Sequence, residues 1–102
     1  MRTVADLVAG EAILRLAEPG DYDRGRALVE QGSVNLEAVT PIRVTATVQD
    51  PERHRVELRL TPRGLEWWCS CPPGRSGAFC AHVVATAFAV WRQTPGRPPR
   101  PA

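Results

Sequence analysis

The sequence predicts an α+β fold: a four-stranded antiparallel meander, preceded by two short helices and followed by a C-terminal helix. Three observations predict it. Apolar residues recur at helical spacing before residue 32, alternate with a period of two from Ser33 to Cys71, and return to helical spacing from Ala78 to Arg92. Both changes of period fall at Gly, Pro or Ser, where a chain turns. With 102 residues, 43% of them apolar and 24% charged, the chain has the size and composition of one domain with a modest core.

Val4, Leu7, Val8, Ala12 and Leu16 place a first helix near residues 3–17, with Thr3 and Asp6 at capping-box spacing and Pro19-Gly20 as its stop. "DYDRGRALVEQG" reads as a second, with Asp21 or Asp23 near its N-terminus and Gly32 ending it. Residues 1–32 are therefore expected to form a helical segment packed on the rest.

The strand pattern then begins. Val34, Leu36 and Ala38 alternate with Asn35 and Glu37; Ile42, Val44, Ala46 and Val48 alternate with Arg43, Thr45, Thr47 and Gln49. "QDPER" and "TPRG" turn the chain around Val56, Leu58 and Leu60 and into Leu65, Trp67, Cys69 and Cys71. A turn centred on Pro51 sets Arg43 opposite Arg59 and Thr45 opposite Glu57, and a tight "TPRG" turn sets Arg59 beside Glu66 and Glu57 beside Trp68. Val84, Phe88 and Trp91, at i, i+4 and i+7, predict that the last helix lies on this sheet. Residues 33–93 make up the sheet and helix unit. Residues 94–102, "TPGRPPRPA", read as a disordered Arg/Pro-rich tail.

Nothing at the start resembles a secretory signal, because Asp6, Glu11 and Arg15 interrupt its apolar positions, and the longest uncharged run, Ser76 to Trp91, is too short and polar for a membrane span. A cytoplasmic location is expected. The formal charge of +2 is too small to announce a nucleic-acid partner, but its distribution is uneven: residues 1–66 sum to −2 and residues 67–102 to +4. All 13 basic residues are arginines.

The basic third holds all three cysteines. Cys69 and Cys71, two apart on a strand, project to the same face, and Trp68 and Ser70 to the other. Cys80 and His82 can meet that pair only if Cys80 starts the last helix and His82 lies in its first turn, because i and i+2 on a regular helix diverge by about 200°. Three soft thiolates and an imidazole make a closed tetrahedral set for one structural Zn²⁺, which would anchor the C-terminal helix. Glu66 has the parity of Trp68 and points away from the thiols, which removes the nearest general base, and His54 beside its turn reads as an exposed polar residue. Two other readings compete: buried thiols with no shared role, or a redox pair in "CSC", which leaves Cys80 and His82 without a role.

The pattern C-x-C-x8-C-x-H, formed by Cys69, Cys71, Cys80 and His82, resembles the SWIM zinc finger. The upstream "YDRGRALVEQGSV", the alternating strands, the tryptophan before the first cysteine and "FCAHVVA" extend the resemblance over roughly residues 21 to 91. It implies a ββα zinc module that binds DNA or proteins, found alone in bacteria and within chromatin-remodelling-type ATPases and Mutator-type transposases. It does not imply an enzyme, and the chain has no GK[ST] phosphate loop.

The expected role is therefore DNA binding, with a protein-interaction adaptor on the same scaffold as the alternative, and with neither a membrane nor a small-molecule substrate involved. The candidate contacts are Arg43, Arg59, Trp68, Arg75 and Arg92. Arg43 and Arg59 face each other and need compensation, from Glu66 and water or from a phosphate; Trp68 offers a stacking surface; Arg75 lies between Gly74 and Gly77; Arg92 leads into the basic tail. Each has a plainer role as a solvated surface residue. Trp67 and Trp91 read as core residues beside the zinc site. Salt-sensitive binding through arginines would indicate nucleic acid, whereas dependence on an aromatic patch would indicate a protein partner.

Overall fold

The computed structural model describes residues 3, 4, 8, 13 and 15–93. Its elements run α1 (Pro19–Glu30), β1 (Val34–Val39), β2 (Arg43–Asp50), β3 (Glu52–Thr61), β4 (Gly64–Cys69), α2 (Pro72–Arg75) and α3 (Ala81–Gln93). The expected first helix falls mostly on residues outside the described set, as does the Arg/Pro-rich tail. Val4, Val8 and Ile13 are described, and all three are buried in the core.

Pro19 and Gly20, expected as a helix stop, begin a helix. Pro19 sits in the first turn of α1, after the extended Glu18, where a missing N–H costs nothing, and Asp21 complements the positive end of the dipole. At the other end Gly32, with φ +74°, makes a Schellman closure: its N–H donates to the Val29 carbonyl at 3.0 Å and the Ser33 N–H donates to the Leu28 carbonyl at 3.0 Å.

The four strands form an antiparallel sheet in the order β1-β2-β3-β4, the expected meander. The registers Arg43 with Arg59, Thr45 with Glu57, Glu57 with Trp68 and Arg59 with Glu66 are those the turns imply. Val44, Ala46, Val48, Val56 and Leu58 are buried on the inner face. β1 departs from strict alternation. A register shift between Leu36 and Ala38 leaves Glu37 as an extra residue, and Ala38 and Val39 emerge exposed. Ile42, expected on a strand, sits in the β1–β2 turn and is also exposed.

α3 lies on the sheet, but burial is not confined to one face. From Ala81 to Phe88 every residue is buried, because α1 covers the side that the sheet does not. Gly25 permits that cover, since a Cβ there would overlap the Val84 side chain. Tyr22 and Phe88 meet edge to face, centroids 5.3 Å apart. The core therefore has two layers of contact, sheet to α3 and α3 to α1, with the cysteines at one end.

Candidate metal centre

β3 and β4 fix the first two thiols. Cys69 ends β4, and one further residue continues the pairing: the Ser70 N–H donates to the Arg55 carbonyl and the Arg55 N–H to Ser70 Oγ, each at 2.9 Å. Cys71 then stands two residues from Cys69 with its sulfur on the same side. It caps the short helix α2, whose Gly74 N–H donates to its Sγ at 3.4 Å. Gly77, with φ +94°, turns the chain back toward α3, and its carbonyl accepts from Trp67 Nε1 at 3.0 Å. Phe79 packs edge-on against Trp67, centroids 4.9 Å apart. Cys80 lies immediately before α3, its carbonyl accepting from the Val84 N–H at 2.9 Å, and His82 follows in the first turn.

This brings Cys69, Cys71, Cys80 and His82 together, with all four ligand atoms within 4.8 Å of one another. Cys71 Sγ lies 3.5 Å from Cys80 Sγ; His82 Nδ1 lies 3.6 Å from Cys69 Sγ and 3.9 Å from Cys80 Sγ. A tetrahedral ion with Zn–S bonds of about 2.3 Å and a Zn–N bond of about 2.0 Å needs edges of roughly 3.5–3.8 Å. The donors fit one structural zinc ion. They are buried, so such a site is shielded from water.

The surroundings suit thiolates. Cys69 accepts from the Cys71 backbone N–H, Cys71 from that of Gly74, and Cys80 from that of Val83. Without metal the cluster shares charge unequally. Hydrogen bonding with Cys69 lowers the Cys80 thiol to about 3, against the opposing effect of burial and with help from His82. The same contact with Cys80, together with burial, raises the Cys69 thiol. His82 is raised to about 9, chiefly by its hydrogen bond to Cys80, with burial opposing and Cys71 and Asp50 adding to it. A buried group of thiols cannot all ionise without a cation, and zinc supplies that cation.

Two residues at this site were not singled out from the sequence. Asp50, at the end of β2, places Oδ2 2.9 Å from His82 Nε2, and Arg24 of α1 donates to both of its oxygens, Nη2 lying 2.9 Å from Oδ1 and 2.8 Å from Oδ2. Burial raises the Asp50 carboxyl, but the Arg24 and His82 bonds and charges outweigh it and hold the carboxyl below its ordinary range. His54, expected to be exposed, is half-buried: its ring stacks on His82 at 4.2 Å and its Nε2 lies 3.2 Å from the Asp50 carbonyl. Tertiary contact across 32 residues puts Asp50 there; a carboxylate in a hairpin was the only sequence signal.

The expected contact residues do not share one surface. Arg43, Arg59 and Trp68 lie on the outer face of the sheet, Trp68 45% exposed. The facing arginines are compensated within the protein. Glu57 bonds Arg43 and Arg59, both at 3.2 Å, and Glu66 reaches Arg59 at 3.6 Å, on the face away from the thiols. Arg75 is exposed on α2, beside the Cys/His cluster. Arg92 is elsewhere: ten residues beyond His82, about 15 Å along α3, it lines a shallow groove with Val29, Val34 and Leu36. Trp91 is core, but it lies at that far end and not beside the zinc ligands as expected.

The family model described as SWIM zinc finger matches residues 54–90, which span β3, β4, the ligand loop and most of α3. No curated protein and no solved structure matched the chain. The matched segment contains the four clustered residues, so residues 54–90 are similar to a SWIM zinc finger, and the Cys/His site is that of a zinc-binding module.

Proposed function

We propose a DNA-binding module that uses the outer face of its sheet, the segment similar to a SWIM zinc finger holding the scaffold through zinc and taking no part in catalysis. The observation that carries this reading is the setting of Trp68. It lies opposite Glu57 on β3, with Arg59 diagonal to it on one side and Arg55, which pairs with Ser70, on the other. Diagonal neighbours on a sheet stand about 7–8 Å apart, so two arginine positions flank Trp68 on the outer face. Arg53, Arg55 and Arg59 are all exposed along β3, and among the described residues Arg53 and Arg55 form no ion pair.

An exposed aromatic with flanking arginines on a strand suits an unstacked base with its phosphates, and so favours a single strand over a duplex. The Glu57 and Glu66 pairs do not oppose this. Exposed ion pairs are worth about 0–1 kcal/mol, so a phosphate can displace them. Four ligand atoms complete a tetrahedron and leave no position for a metal-bound water, which supports binding over catalysis. No helix among the described residues is long and apolar enough to cross a membrane.

The test is binding of the zinc-loaded protein to labelled single- and double-stranded oligonucleotides across a salt series. Three contacted phosphates give a log–log slope of about −2 on single strands, and Trp68→Ala costs about 1–3 kcal/mol. Absence of binding at low salt contradicts the proposal. A protein-interaction adaptor is the second reading. It is supported by the exposed Val39 (44%) and Ile42 (57%), and it gives Trp68-dependent but salt-insensitive capture of a partner.

A further inference from the structure

We infer that Asp50, braced by Arg24, is a positioning residue of the zinc centre, so that metal binding depends on β2 and α1 as well as on the matched finger. His82 has two ring nitrogens, and only one can face the metal. Nδ1 is the one directed at Cys69 and Cys80, while Nε2 meets Asp50 Oδ2 at 2.9 Å. An ionised carboxylate only accepts, so Nε2 carries the hydrogen and Nδ1 presents its lone pair to zinc.

Residue 50 also holds the ring's neighbour. The Asp50 backbone carbonyl accepts from His54 Nε2 at 3.2 Å, and the His54 ring stacks on His82 with 22° between planes. The stack fixes the plane of the His82 ring and the carboxylate fixes its rotation. A ligand so fixed loses little further freedom when the ion binds.

Arg24 answers an electrostatic objection. Three thiolates and Zn²⁺ leave the centre with a formal charge of −1, and a lone carboxylate beside it would be repelled. The Arg24 guanidinium, bonded to both Asp50 oxygens, cancels that second negative charge. Arg24 and Asp50 both lie outside residues 54–90, so the finger excised at those limits lacks both.

The experiment measures zinc dissociation constants of the full chain by competition with a chromophoric chelator at fixed pH and salt. Asp50→Ala is expected to weaken binding about 10–100-fold, the range for loss of such a partner. Arg24→Ala is expected to weaken it less, and Glu57→Ala, an equally ion-paired change on the outer face, to leave it unaltered. In the zinc-loaded parent the His82 Nε2 proton is held by Asp50 and visible by NMR; in Asp50→Ala it exchanges with water and is lost. If Asp50→Ala does not fold, Asp50→Leu, close to Asp in shape but without an acceptor, provides the same readings. A zinc constant within about threefold of the parent, or equal loss in Glu57→Ala, overturns the inference.

Discussion

Gly74 of α2 lies so close to Cys69 that a Cβ at position 74 would overlap the Cβ of the cysteine. Only glycine lets the chain after Cys71 fold back over the first ligand while its N–H reaches the Cys71 sulfur. Gly74→Ala should therefore destabilise the zinc-loaded protein by about 1–3 kcal/mol, the usual cost of overpacking, and loosen the metal. Gly20→Ala is the control: nothing lies within 4 Å of a Cβ there, and no loss is expected on heating.

Gly25 gives an effect against its own helix propensity. Alanine in a helix interior is better than glycine by about 0.5–1 kcal/mol, but here its Cβ would overlap Val84, a stiff β-branched residue with 0% exposure. Gly25→Ala should lower the thermal midpoint, and a rise would show that α1 does not pack on α3 as described.

Removing the metal should undo one end of the core. Structural zinc contributes about 10–16 kcal/mol apparent in small fingers, comparable to the roughly 5–15 kcal/mol stability of a domain. Cys80→Ser or strong chelation is expected to disorder β4 and α3, read as lost circular dichroism and new protease cleavage between Ser70 and Gln93. Unchanged dichroism and resistance would refute a structural role for zinc.

Zinc affinity should rise with pH. In the metal-free cluster the Cys69 thiol is raised and His82 is raised to about 9, so both hold protons at neutral pH, whereas Cys80, lowered to about 3, does not. Binding must release at least the two protons of Cys69 and His82, so each pH unit below about 9 weakens the apparent constant by at least about 100-fold. Calorimetry in buffers of different ionisation enthalpy counts the protons, and a count below two contradicts the assignment.

The clustering of Cys69, Cys71, Cys80 and His82 and the strand registers were legible in the sequence because spacing and turn position carry much of both. Parity on a strand puts Cys69 beside Cys71, and turn centres set Arg43 against Arg59. What was not legible depends on elements meeting in space. Asp50 reaches His82, and His54 stacks on it, only because the β2–β3 hairpin closes over the start of α3. The double burial of α3 needed α1 on its second side, and Gly25 is the one sequence sign of that contact. Arg92 was grouped with Arg75 through shared charge, and the length of α3 separates them. The Glu37 bulge left no sign that the alternation of Val34, Leu36 and Ala38 could betray.

X-ray absorption at the zinc edge of the purified full chain tests the central claim most directly. One zinc per chain with three sulfurs at about 2.3 Å and one nitrogen at about 2.0 Å is the expected result. An oxygen ligand in the shell, fewer than three sulfurs, or a chain purified in zinc-containing buffer that retains no zinc would contradict the closed site assigned to Cys69, Cys71, Cys80 and His82.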